Sequence, residues 1–243
     1  MSEGVSMDIT TEEENTFLFY YQLRMLGTCD KMNIPIQVQS TVITYFKILF
    51  TKRRVFHYDM KNLIMACILL GMKVENIYIT ATQIKEMFSF VDTQLLAEYE
   101  LEICNALKFN LYVPSPHLRL LALFLLLRNR ESINAVIDGS VQTQEITSPD
   151  VHLNWETSIE NLKTIMLLDN YHTLDLTQVA IASLPVSPSL LQGFFMEDTL
   201  NAVAEIKKQM KRKDLPTQTE INKIDQKIKT IQARYKVDQA HAN

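Results

Sequence analysis

Residues 60–73, MKNLIMACILLGMK, are apolar nearly all round when set at 3.6 residues per turn. A helix of that kind has no face to give to water and must lie inside a domain, with neighbours on most sides. The flanking sequence supplies those neighbours at the same period. Thr10 followed by Glu13 forms a capping box, which opens a helix over about 12–32 with Phe17, Tyr20, Tyr21 and Met25 on its apolar positions, and Pro35 ends it. Residues 37–50, QVQSTVITYFKILF, put Val38, Val42, Tyr45, Phe46 and Leu49 on one face. Asp59 caps the apolar helix, residues 80–90 form a short one, and Asp92 opens a longer one reaching residue 111, with Leu96, Tyr99, Ile103 and Leu107 inward. Five helices are complete by that point. With only 5 glycines in 243 residues the chain is poor in the tight turns that hairpins and phosphate loops need, and an all-α fold is expected.

Val113-Pro114-Ser115-Pro116 breaks the pattern and reads as a linker. The second half then follows a similar rhythm. Residues 117–133 form an apolar helix, 138–147 are a polar loop, and Ser148-Pro149-Asp150 is a cap leading into the helix that carries 156–171. Asp175 opens LTQVAIASL much as Asp59 opens MKNLIMACIL; a shift of 116 residues (175 − 59) pairs Leu63 with Val179 and Ala66 with Ala182, a weak internal repeat. Pro185 and Pro188 end that helix, and Asp198 starts the next. The expected organisation is an N-terminal segment and lead-in helix over 1–34, a first five-helix unit over 35–112, a second over 113–197 with its last helix at about 198–214, and a helical extension over 215–243. In that extension Ile221, Ile224, Ile228 and Ile231 recur at steps of three and four on an otherwise charged helix. Such a seam suits docking in a partner's groove or packing back on the body of the same chain, and the second is expected.

Catalytic constellations are missing from the sequence. It has no GxGxxG, P-loop, GxSxG or HExxH, and the histidines at 57, 117, 152, 172 and 241 lack metal-ligand spacing. His152 and Glu156 could share a helix face, which reads as a surface pair. Cys29, Cys67 and Cys104 are odd in number and form no CxxC, so reduced thiols, two of them inside apolar helical runs, are expected rather than a nucleophile or a metal site. A net charge of −4 argues against general affinity for nucleic acid, and the basic runs at 52–54 and 211–213 suit solvated helix ends. The longest apolar run, LLALFLLL at 120–127, is far short of the roughly 20 residues of a membrane span. A soluble intracellular protein without cofactor, metal or catalytic residues is expected.

The apolar helix ends in a charge, Lys73, followed two residues later by Glu75. Here the sequence resembles the cyclins. YFKILF (45–50), MACILLGMKVEN (65–76) and LAEYELEICNALKFNL (96–111) look like the corresponding segments of a cyclin box, and the likeness is to the cyclin H branch, through TTEEENTFLFYYQLRML, LLDNYHTLDLTQVAIASL and the extension EIKKQMKRKDLPTQTEINKIDQKI. It departs at Asn76, where cyclins usually carry a second acidic residue, and lacks the tryptophan-containing substrate-docking patch of cell-cycle cyclins.

The resemblance implies two consecutive cyclin boxes and a non-catalytic subunit that binds and activates a cyclin-dependent protein kinase. The kinase would be of the CDK-activating, TFIIH-associated type, in the nucleus, with a RING-finger assembly factor as third subunit. It further implies that Lys73 and Glu100 contact the kinase, with Glu75, Tyr45 and Phe46 in the same set. In the family such contacts press the kinase's regulatory helix inward, so that its glutamate pairs with the ATP-binding lysine. A cyclin C-like transcriptional cyclin and a TFIIB-type two-repeat core are the alternative readings; the second calls for a basic surface and a CxxC zinc ribbon, which the sequence lacks.

Overall fold

A computed structural model describes residues 9–128, 154–191, 193–211 and 215–242. Among the described residues there are ten α-helices and no strand. The helices α1 (Thr11–Lys31), α2 (Ile36–Phe50), α3 (Met60–Val74), α4 (Ala81–Met87) and α5 (Thr93–Ala106) build the first of two compact units, which also takes in the C-terminal helix α10 (Gln218–Ala242). The second unit holds α6 (Pro116–Arg128), α7 (Trp155–Met166), α8 (Leu176–Ser183) and α9 (Glu197–Met210). The division falls between Val113 and Pro114.

The capping box forms: Thr10 Oγ1 accepts from the Glu13 N–H at 3.2 Å and Glu13 returns a carboxylate to the Thr10 N–H at 3.1 Å. At the other end of α1, Asn33 adopts φ 52°, and the Ile34 N–H reaches back to the Cys29 carbonyl at 2.9 Å. That closes the spare carbonyls of the last turn. Next to Pro35 begins α2, whose Val38, Val42, Tyr45, Phe46 and Leu49 are wholly buried. As its composition requires, α3 is surrounded: Met60 and every residue from Asn62 to Met72 are buried, with α1, α2 and α5 packed around it.

At Gly71 α3 lies tight against α2: an added Cβ would stand 2.5 Å from Val42 Cγ2. Valine is stiff at χ1 and cannot swing away. Gly71→Ala is therefore expected to lower the melting temperature despite alanine's better helix propensity, by an overpacking cost of about 1–3 kcal/mol against a gain of about 1. Adding Val42→Ala should recover part of the loss, and thermal melting of the single and double variants checks both.

The fifth helix stops at Ala106 and does not continue to 111, because Lys108 and Phe109 both adopt positive φ, 53° and 58°. Their turn returns the Phe109 N–H to the Cys104 carbonyl at 2.8 Å. Lys52, in the first basic run, donates to the Ala106 carbonyl at this helix end, and Arg54 pairs with the nearly buried Glu14 at 2.8 Å.

In the second unit the repeat is visible in the geometry. Asp175 caps α8 as Asp59 caps α3. Each is preceded by a short 3₁₀ turn, Val55–His57 and Tyr171–Thr173, and these two turns also lie 116 residues apart (171 − 55). Boundaries differ from expectation here: α7 starts on an Asn154 cap, so Ser148-Pro149-Asp150, which lies outside the described residues along with 138–147 and His152, is not its cap; α7 ends at Met166 and leaves Tyr171 to the 3₁₀ turn; and α9 begins at Glu197.

The C-terminal seam packs on the body of its own chain. Ile221, Ile224 and Ile228 are 3, 5 and 3% exposed, against α1 and the Val55–His57 turn, and Ile231 is half-buried. Polar contacts fix the register: Lys227 pairs with Glu13, and Gln232 Nε2 donates to the Tyr58 carbonyl at 3.2 Å.

Lys227 holds the Glu13 carboxyl below its usual value of 4.5, chiefly by the hydrogen bond it donates. A carboxylate whose folded value is depressed stabilises the fold above the unfolded value and loses that contribution as pH falls through the lower, folded one. The melting temperatures of the wild type and Glu13→Gln should thus differ at neutral pH and converge below about pH 4.5. A gap that stays constant down to acid pH would show that the pair contributes nothing.

Candidate docking site at the end of α3

The last turn of α3 is fixed by backbone geometry. Glu75 is its C-cap and Asn76 takes φ 59°; the Ile77 N–H bonds to the Met72 carbonyl at 2.8 Å and the Asn76 N–H to that of Lys73 at 3.2 Å. This closing turn needs a residue that tolerates the left-handed region, which asparagine does better than a second carboxylate. The departure noted at Asn76 thereby has a local reason.

Lys73, just before that turn, extends to α5, where its Nζ donates to both carboxylate oxygens of Glu100 at 2.6 and 2.7 Å. The lysine side chain is 44% exposed and the glutamate 23%. An ion pair so placed contributes about 0–1 kcal/mol to stability, so it is not what holds α3 to α5. Its neighbours are open to solvent: Leu101, beside Glu100, is 57% exposed, and Tyr78, five residues after Lys73, is 88% exposed. One turn along α5 from Glu100, the Cys104 thiol is pushed up by burial and senses both members of the pair. Half-exposed and raised, it is a poor nucleophile at neutral pH.

The structure thus brings together Lys73 and Glu100 and sets the other expected members apart. Glu75 turns to α2, accepting from Thr41 Oγ1 at 2.9 Å and Gln37 Nε2 at 3.5 Å, and so anchors the end of α3. Tyr45 and Phe46 are corrected: both are wholly buried and present nothing to a partner. Tyr45 instead donates its hydroxyl to the Leu111 carbonyl at 2.5 Å, fixing the segment after α5, and Phe46 stacks edge-on against Phe50 with centroids 4.8 Å apart. Thr41, Gln37, Leu101 and Tyr78 were not legible as site residues, since nothing local in the sequence links Thr41 to a carboxylate 34 positions on.

The fold matches solved structures over most of its length. One chain of the cryo-EM structure of the yeast TFIIK (Kin28/Ccl1/Tfb3) complex superposes with a TM-score of 0.63 at 20% identity, covering 82% of this chain and 87% of that one. A chain of the Chaetomium thermophilum CAK complex bound to ATP-gamma-S gives 0.69 at 15% identity, covering 96% and 80%. The X-ray structure of a viral cyclin from herpesvirus saimiri gives 0.59 at 14%, covering 84% and 87%. The chain has the cyclin fold.

Sequence kinship points the same way for this cyclin-fold chain. It is 30% identical over 108 residues to cyclin mcs2 of Schizosaccharomyces pombe (44% of this chain, 34% of that protein). It is 23% identical over 109 residues to Cyclin-H1-1 of Arabidopsis thaliana (45% and 32%) and 26% over 127 to Cyclin CCL1 of Saccharomyces cerevisiae (52% and 32%). The matched stretches span about a third of the relatives' own length. No family model matches the sequence.

Proposed function

We propose that this chain is a regulatory subunit of the cyclin H type, without catalysis of its own, that binds and activates a cyclin-dependent protein kinase of the CDK-activating, TFIIH-associated kind in the nucleus. The observation that carries the proposal is the Lys73–Glu100 pair, held in a fixed, half-exposed geometry at the α3–α5 end of a cyclin fold. Both side chains are already ordered, so meeting a partner's polar groups costs little further side-chain entropy. Leu101, next to Glu100 in sequence, and Tyr78, five residues after Lys73, are exposed. Activation on this reading is selection of one kinase conformation. Moving an equilibrium from 1:99 to 99:1 takes about 5.5 kcal/mol of preference for the active state, within reach of an interface with a few well-packed anchors.

The solved complex that names Kin28, Ccl1 and Tfb3 together supports a kinase partner and a third subunit; by the same reading that third subunit is a RING-finger assembly factor. Affinity purification of the tagged chain from its own cells, followed by mass spectrometry, tests the assignment. A serine/threonine kinase is expected in near-stoichiometric amount. Recovery of promoter DNA and polymerase without a kinase would replace the reading with that of a TFIIB-type core.

A further inference from the structure

Threonines inside the helices of this chain give their hydroxyl protons to their own backbone. Thr16, Thr28, Thr44, Thr164 and Thr230 each donate to the carbonyl four residues earlier at 2.8–3.0 Å, a common arrangement for a helical hydroxyl. Thr41, in the second turn of α2, departs from it. The carbonyl four residues back, that of Gln37, lies at 3.3 Å, and Glu75 Oε1 at the end of α3 lies nearer, at 2.9 Å. A hydroxyl has one proton to donate, and the shorter contact, to a charged acceptor, is the stronger. Thr41 is wholly buried, so water does not compete for that proton. Gln37 Nε2 reaches the other carboxylate oxygen of Glu75, at 3.5 Å, as a weaker second donor. One turn along α2 from Thr41, the Tyr45 hydroxyl is raised first by burial and next by the charge of Glu75, as a carboxylate lying against that face requires.

The carboxylate held in this way belongs to the C-cap of α3. The two N–H groups that follow it bond back into the helix, Asn76 to the Lys73 carbonyl and Ile77 to that of Met72. The backbone of Lys73 is therefore fixed by the closing turn, and its side chain by Glu100 of α5. We infer that Thr41 is a positioning residue for kinase docking: its hydroxyl ties Glu75 to α2, holds the closing turn of α3 in place, and so sets the direction in which Lys73 leaves the helix. The inference rests on the docking reading of the Lys73–Glu100 pair. A binding group has to be kept within about 0.5 Å of its productive place by the residues behind it. Thr41 has no surface of its own to offer a partner, so its effect on docking passes through Glu75 and Lys73.

The test uses Thr41→Val, which keeps the shape of the side chain and removes the hydroxyl, and Thr41→Ser, which keeps the hydroxyl. In the full chain alone, amide hydrogen exchange at Asn76 and Ile77 should become roughly tenfold faster in Thr41→Val, because a hydrogen bond to a charged group is lost, with exchange in the middle of α3 unchanged; Thr41→Ser should exchange as the wild type does. In titration of a purified kinase of the activating type, Thr41→Val should need roughly fivefold more protein for the half-maximal rate and reach the same maximal rate, and Thr41→Ser should follow the wild type. In a chain that already carries Lys73→Ala and Glu100→Ala, adding Thr41→Val should weaken docking no further, which a general loss of stability would not reproduce. Unchanged exchange at Asn76 and Ile77, wild-type titration by Thr41→Val, or an equal loss from Thr41→Val in both backgrounds would overturn the inference while leaving kinase docking intact. A wild type that fails to raise the kinase's rate is a different result: it removes the docking reading, and the positioning role with it, even where the exchange rates change as expected.

Discussion

Aspartate at both Ile224 and Ile228 will detach α10 from the first unit. Each isoleucine is at most 5% exposed, and burying such a side chain is worth roughly 1.5–3 kcal/mol, so the apolar term lost from the pair is about 3–6 kcal/mol. An unpaired carboxylate does not stay in an apolar seam; the helix leaves instead, and the loss is bounded by its docking energy. The contacts left behind, Ile221, the Glu13–Lys227 pair and the Gln232 bond to Tyr58, cannot hold it alone. The melting temperature is expected to fall by several degrees, and residues 218–242 should be cut at protease concentrations that spare α1 to α5. Ile231→Asp, at a half-buried position, should do far less. A double variant with wild-type melting and cleavage would show that the seam contributes nothing to the fold.

Alanine at Lys73 and Glu100 should separate folding from function in the opposite sense. The pair is partly exposed and contributes about 0–1 kcal/mol to stability, so the melting temperature should move by a few degrees at most. At the centre of an interface the same truncation costs about 2 kcal/mol or more. Titration against the partner kinase is therefore expected to show binding at least tenfold weaker, with a normal fold by circular dichroism. A collapsed melting curve would make the pair structural instead.

What the sequence disclosed follows from the range over which each feature acts. Helix starts were legible where a single side chain satisfies the first turn, as Thr10, Asp59, Asp92 and Asp175 do. The α10 seam was legible because its period alone sets its buried face. The closeness of Lys73 and Glu100 came from likeness to a family, and the structure gives it bond lengths.

Periodicity also marks which residues are inward, and it marked Tyr45 and Phe46 so. Family likeness placed them in the docking set, and their full burial shows the inward assignment to be the one that decides. The end of α5 was hidden because two ordinary residues, Lys108 and Phe109, adopt a left-handed turn that neither advertises. The role of Glu75 depends on Thr41 and Gln37, and the nearly buried Glu14 bonds Arg54 and the Val55 N–H across some forty positions. Contacts of that length are set by tertiary packing and leave no local pattern.

The most direct measurement of the central claim is the phosphorylation rate of a purified cyclin-dependent kinase of the activating type, titrated with this chain. Alone, the chain should turn over no ATP. Added to the kinase, it should raise peptide phosphorylation by at least tenfold and to saturation, while the Lys73→Ala, Glu100→Ala variant should need at least tenfold more protein to reach the same rate. No rise in rate at any concentration, with the kinase shown to be responsive to another cyclin, would contradict the assignment.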